Sequence, residues 1–192
     1  MKKFLIILAI IVGIVLLVAL SIFGWVKNNY NAIVTMDEEI NGSWAQVENV
    51  LQRRYDLIPN LVETVKGYAS HESEVFTRVT EARAKVGGAA SPAERMDAEG
   101  GLSNALSRLL MVVENYPQLK ANENFIRLQD DLASTENRIA VERRRFNDAV
   151  KQYNAYIRRF PASLIAGMFN FQRREFFEAP EAAQTAPQVR FD

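Results

Sequence analysis

From Phe4 to Val26 the chain carries no charged residue, and these 23 positions are almost all Ile, Leu, Val, Ala or Phe. As a helix the run spans roughly 34 Å, against about 30 Å for the hydrocarbon core of a bilayer. A cleavable signal peptide has an apolar stretch of only about 7–15 residues, so this segment is expected to remain as a membrane anchor over residues 4–26. Trp25 and Tyr30 stand where interfacial aromatics belong. Lys2 and Lys3 flank one side; Lys27 alone flanks the other, followed by Asp37, Glu38 and Glu39. The positive-inside bias places residues 1–3 in the cytoplasm and the body beyond the membrane.

Composition removes most chemistry. The chain has 192 residues, no Cys, one His and a formal net charge of zero. Without Cys there are no disulfides, thiol nucleophiles or thiolate metal sites. A single His excludes His-rich zinc sites. A neutral chain offers no basic surface for nucleic acid, so no such partner is expected. His71-Glu72 could open an HExxH helix, but Val75 stands at the second His position. The Gly-rich phosphate loops and the GxSxG elbow are missing as well. The expectation is a protein with no catalytic residues, no cofactor and no metal.

Beyond the anchor, apolar residues recur in alternating steps of three and four, as on one stripe of a long helix. The first stripe reads Ile33, Met36, Ile40, Trp44, Val47, Leu51, Tyr55, Ile58, Val62, Val65 and Ala69, and the pattern resumes through Phe76 and Val79 to Gly87-Gly88. Pro59 cannot donate to the Tyr55 carbonyl, so a kink or break is expected there. Ser91-Pro92-Ala93-Glu94 is a capping box with Pro at the first helical position. The helix it opens shows Leu102, Leu106, Leu109 and Val113, with bending or fraying expected at Gly100-Gly101 and an end at Tyr116-Pro117. The last long helix covers about 122–159, with Phe125, Leu128, Leu132, Thr135, Ile139, Phe146, Val150, Tyr153, Ile157 and Phe160 as its stripe. Strands are not expected. The fold class is all-α: an anchor, an elongated antiparallel bundle of three to four long helices over 28–161, and a disordered tail over 178–192.

Residues 162–177 are unusually aromatic for a terminal segment and form a candidate interaction site through Phe169, Phe171, Phe176 and Phe177. Such a segment can cap the bundle, lie on a bilayer surface or dock on a neighbour. Arg158, Arg159, Arg173 and Arg174 are candidate lipid or charge contacts. The basic clusters, including Arg143-Arg144-Arg145 and Arg53-Arg54, are expected to pair with nearby acids such as Glu142, Asp148, Glu175 and Asp56. Asn60, Asn115, Asn137, Asn147 and Asn154 lie near the stripes, where a buried amide fixes register.

Several stretches resemble the LemA family. They are Trp44 with Leu51–Val62 (LQRRYDLIPNLV), Val65–Ala69 with His71-Glu72, Glu114–Ala121 (ENYPQLKA), Leu128–Leu132 with Thr135–Ala140 (TENRIA) and Arg144, and Phe146-Asn147 through Phe160-Pro161. Tyr30-Asn31 fits as well, and Pro187–Phe191 resembles the short ending of many members. The likeness covers about residues 4–177. It implies a bacterial single-pass membrane protein with an elongated helical bundle; with the lysine bias, the expected place is the cytoplasmic membrane, with the helical body on the periplasmic or extracellular side. It supplies no reaction. Members are often encoded near TPM-domain proteins or a membrane metallopeptidase, which implies a TPM-domain protein or a membrane protease as partner, and a place in envelope maintenance or membrane-protein quality control. The expected function is therefore a membrane-anchored scaffold or adaptor that self-assembles as a homo-oligomer. The alternatives are a membrane-shaping or lipid-binding protein, and a sensor coupled to another membrane protein.

Overall fold

The computed structural model describes the backbone of residues 2–177 and the side chains from Phe4 to Phe177. The tail expected over 178–192, and the side chains of residues 1–3, lie outside the described residues. Among the described residues there are six helices and no strand: α1 (Lys2–Lys66), α2 (Ser73–Gly88), α3 (Pro92–Val113), α4 (Pro117–Lys120), α5 (Glu123–Arg158) and α6 (Ala162–Met168). The all-helical expectation holds. The described residues divide into two compact units, one made of residues 2–43 and 147–176, the other of residues 44–146 and 177.

In the first unit, every side chain from Phe4 to Phe23 is exposed, and shielding begins at Gly24, Trp25 and Val26. A helix that is apolar all round and buried nowhere is not a core helix; it has the length and composition to cross a membrane. Its stripe then narrows to Ile33 and Ile40, both buried. The α5 part of the unit buries Val150, Tyr153 and Ile157, and α6 buries Ala162, Ile165 and Ala166. Phe160, the last member of the α5 stripe, departs from expectation. The chain turns after Arg158, and the Phe160 ring is 81% exposed.

The second unit holds a continuous core from Ile58, Leu61, Val62 and Val65 of α1 through Phe76, Val79 and Val86 of α2 to Leu102, Leu109 and Val113 of α3, closed by Leu119 and Phe125. The three-residue connection at 89–91 makes α2 and α3 antiparallel neighbours. The capping box forms with one change: the Ser91 hydroxyl accepts from the Glu94 backbone N–H at 3.2 Å, while the Glu94 carboxylate reaches one residue further back, accepting from the Ala90 N–H at 2.9 Å. Gly100 and Gly101 lie inside an unbroken α3, because Leu102, Ala105 and Leu106 bury immediately after them. The Asn122 side chain opens α5 by accepting from the Asn124 and Phe125 N–H groups at 2.9 and 3.1 Å.

Pro59 does not break α1, which continues to Lys66. The reason lies in α2. Proline has no N–H, which leaves the Tyr55 carbonyl without its helical donor. Arg83 Nε donates to that oxygen at 3.2 Å, and the Arg83 guanidinium lies 3.7 Å from the Tyr55 ring centroid. Gly87 belongs to the same contact: a Cβ there would stand 3.1 Å from the Tyr55 hydroxyl. A cation on α2 thus supplies what the proline removes. Arg83→Ala is expected to lower stability by about 1–3 kcal/mol, the cost of an unsatisfied, partly buried carbonyl. Chemical denaturation of the wild type and the variant checks it, and Arg83→Lys should recover only part of the loss because the planar stack is gone.

Candidate functional site

Two places concentrate polar and aromatic groups, one in each unit. In the second unit, Arg54 is 6% exposed although it was expected to be a solvated surface residue beside Asp56. Its position in α1 turns it inward among α3 and α5. Arg54 Nη1 stands 2.9 Å from a Glu136 carboxylate oxygen and 3.5 Å from Glu99, and Nη2 donates to the Ser103 hydroxyl at 3.0 Å. Glu99 is also 6% exposed, and neither of its carboxylate oxygens has a hydrogen-bond partner. Burial pushes the Glu99 carboxyl above the usual carboxylate range, against the pull of Arg54 and then Arg95. Asp56 instead accepts from Gln52 at 2.9 Å, and Arg53 reaches Asp131 at 3.4 Å. The Glu99 group has no nucleophile–base geometry around it, and it is read as a structural ion cluster. Among the described residues, no group of three His, Asp or Glu side chains is placed to hold a metal. His71 is exposed.

The second place holds most of the residues singled out in sequence. The α6 helix ends in a Schellman motif: Phe171 N–H donates to the Ala166 carbonyl at 2.9 Å and Asn170 N–H to Gly167 at 3.4 Å, with Asn170 in the left-handed region at φ 58°. This reverses the chain into an extended strap. The Tyr153 hydroxyl donates to the Gln172 carbonyl at 3.0 Å. The Asn154 amide takes both backbone groups of Arg174, donating to its carbonyl at 2.8 Å and accepting from its N–H at 2.9 Å. Arg174 then grips Asp37 of α1 with a two-pronged pair, Nε and Nη2 each 2.8 Å from a carboxylate oxygen. The Asp37 bond holds the Arg174 pKa above its ordinary value. Desolvation, reinforced by Asp37, raises that of Tyr153.

The aromatic candidates divide. Phe169 and Phe171 both pack on Tyr30, with centroids 4.8 and 5.7 Å apart. Phe169 stays 48% exposed and Phe176 40% exposed. In the second unit, Phe177 is buried at 8%, with the Arg143 guanidinium 3.8 Å from its ring centroid. Of the four basic candidates Arg174 is committed to Asp37, whereas Arg158, Arg159 and Arg173 are exposed and have no salt bridge among the described residues. Arg145 pairs with Glu142 at 2.9 Å, as expected of that cluster. Asn60, Asn115 and Asn137 are exposed, Asn147 is half-buried, and Asn154 is buried and bonded to the Arg174 backbone. Sequence reasoning missed Asp37, Tyr153, Glu99 and Arg83 as partners. Each meets its contact through a fold-dependent approach, with no local signal beyond the stripe itself.

Asn154→Ala should cost more than Arg174→Ala. The first strands two backbone groups, about 1–3 kcal/mol each before relaxation, while the second loses a half-exposed ion pair of about 0–1 kcal/mol. Unfolding midpoints give the order, and proteolysis should nick residues 170–176 far faster in the Asn154 variant. For Glu99, a folded pKa raised above the unfolded one means stability is greatest below the ordinary carboxylate value of 4.5 and declines as pH rises through the higher folded value. Glu99→Gln should flatten that decline in denaturation midpoints followed from about pH 4 upward.

Comparison with known proteins adds the lineage. Residues 43–191 match the LemA family. The chain is 30% identical over 182 residues to magnetosome protein MamQ 2 of Paramagnetospirillum magneticum, covering 81% of this chain and 67% of that protein. It is 30% identical over 189 residues to magnetosome protein MamQ of Magnetospirillum gryphiswaldense, covering 83% and 70%. Protein LemA of Metamycoplasma hominis is 23% identical over 155 residues, covering 79% and 69%. None of these names denotes a reaction. With a family match across most of its length, laid on an all-helical body that follows a lipid-compatible helix, this chain belongs to the LemA family.

Proposed function

We propose that this chain is a single-pass, membrane-anchored helical scaffold or adaptor of the bacterial envelope, with residues 4–26 as the anchor, residues 28–161 as the bundle and residues 162–177 as the aromatic segment. It works through protein–protein contacts, including contacts between its own copies, and performs no chemistry. The positive-inside bias of Lys2 and Lys3 puts the N-terminus in the cytoplasm and the body across the cytoplasmic membrane. The role is envelope maintenance or membrane-protein quality control.

The observation that carries this reading is the continuity of α1. One helix, Lys2–Lys66, contributes both the fully exposed apolar run and the buried stripe of the body. Anchoring and folding therefore share one backbone, and a body held this way acts where its anchor is. Phe169 and Phe176 supply exposed aromatic surface for a partner. Because the strap is hydrogen-bonded to Tyr153 and Asn154, deleting it would disturb the unit itself. Point changes are the cleaner probe.

A photo-crosslinking residue placed at Phe176 in the full chain, in intact cells, should yield a reproducible protein adduct. A ladder of this chain alone marks a self-assembling scaffold; a constant second protein, such as a membrane protease or a TPM-domain protein, marks an adaptor. Phe169→Ser should reduce the adduct severalfold. No protein adduct from that position contradicts the scaffold reading. A second reading, direct contact with lipid, is favoured by a different set of side chains and is taken up next.

A further inference from the structure

The first unit exposes apolar side chains at one end that its polar groups do not explain. Phe160 is 81% exposed, Leu164 55% and Met168 73%. Leu164 and Met168 stand four residues apart on α6 and share one face, while Ala162, Ile165 and Ala166 bury the other. A helix apolar on both sides is unusual on a water-facing surface, where the outward face is normally polar.

The position of this end decides what covers it. The exposed apolar run Phe4–Phe23 has 20 residues, a rise of roughly 30 Å, which fills the hydrocarbon core and sets the bilayer boundary close to Phe23. Protein cover on α1 begins at the next residue, Gly24. Helix α5 runs antiparallel to α1 here. Tyr153 and Asn154 lie beside the Asp37–Arg174 pair, whereas the Tyr156 hydroxyl lies 3.1 Å from the Asn29 side chain. Beyond Tyr156 the last residues of α5 therefore run to the anchor side of Asn29, and Phe160 follows in the turn after Arg158 at that same end. Phe169 against Tyr30 keeps the end of α6 within two turns of Trp25. Arg158 and Arg159, exposed and without a salt bridge among the described residues, flank the same corner.

We propose that this corner is seated in the interfacial layer of the bilayer that holds the anchor, with Phe160, Leu164 and Met168 entering the boundary between headgroups and acyl chains and Arg158 and Arg159 meeting lipid phosphates. The occupant is phospholipid. The arrangement is that of an interfacial amphipathic element, apolar on its membrane side and basic at its rim. The anchor alone leaves a body free to tilt and swivel; a second contact fixes the first unit against the membrane plane. The proposal rests on reading α1 as the anchor.

The absence of Cys makes single-site spin labelling direct. Labels at Phe160→Cys, Leu164→Cys and Met168→Cys, in the full chain in nanodiscs of phosphatidylethanolamine and phosphatidylglycerol, are compared with labels at Leu16→Cys and Glu39→Cys. Leu16 lies in the span, and exposed Glu39 lies well above the boundary on α1. Collision rates with dissolved oxygen and with a water-soluble nickel chelate report the surroundings of each label. The expected result is an oxygen-to-nickel ratio at 160, 164 and 168 severalfold above that at 39 and below that at 16. Ratios equal to that at 39 overturn the proposal while leaving the anchor intact. Protection from both reagents overturns it in favour of a protein cover. A water-like ratio at 16 overturns the anchor reading and this proposal with it. Because all three labelled side chains point outward, agreement between any two sites decides the outcome if one variant fails to fold.

Discussion

Helix α1 carries two different side-chain patterns in one unbroken run of backbone. From Phe4 to Phe23 every side chain is exposed and none is charged, a pattern suited to a medium that cannot hydrogen-bond, and the peptide groups are paired within the helix. Over the remainder it meets water on one side and protein on the other, and the apolar set shrinks to a stripe through Ile33, Ile40, Val47, Leu51, Ile58 and Val65. The change of pattern falls at Gly24–Val26, where protein cover begins and Trp25 stands. Within each unit other helices cover part of that stripe. Helices α2 and α3 cover its distal part, and α5 with α6 covers its proximal part.

Keeping α1 continuous requires repair where its sequence works against a helix. Pro59 removes a donor, and Arg83 returns one. Arg54 brings a charge into the core, and Glu136, Glu99 and Ser103 gather around it. The match is incomplete: Glu99 lies near enough for Coulombic attraction yet accepts no hydrogen bond, and its burial disfavours the ionised form. Such a cluster is weak as a source of stability and better understood as a device that aligns α1, α3 and α5 in one register. In the first unit the corresponding device is the strap, where Asn154 pairs with a backbone rather than with another side chain and Arg174 closes on Asp37.

Much of this was legible in the residues. A stripe with alternating steps of three and four is a local property, and it located the buried faces of α1, α3 and α5. Ser91 and Asn122 announce helix starts through their own side chains. The uncharged run needs only counting. What was illegible depends on residues far apart in the chain. Nothing near Pro59 signals that a cation 24 residues later will complete its helix, so the local rule for proline predicted a break that tertiary packing prevents. Phe160 looked like one more stripe position because the period does not register the turn that follows Arg158. The aromatic segment is unusual in composition, but composition alone does not separate Phe177, buried under Arg143, from the outward-facing Phe160 and Met168. Membership of the LemA family was carried by long motifs, many of which turn out to be core and contact positions: Leu51, Ile58, Val62, Tyr116, Ile139, Tyr153 and Asn154.

The proposed anchoring stands on α1 remaining helical from the exposed apolar run into the body. The direct measurement is amide hydrogen exchange of the full chain in nanodiscs, resolved by peptide over residues 22–44. Slow exchange throughout, comparable with the Val47–Val65 stretch, is the predicted result, since those amides are helically bonded and partly covered by α5 and the strap. Rapid exchange at Trp25–Tyr30 would show an unstructured joint between anchor and body, and would contradict a single helix serving both.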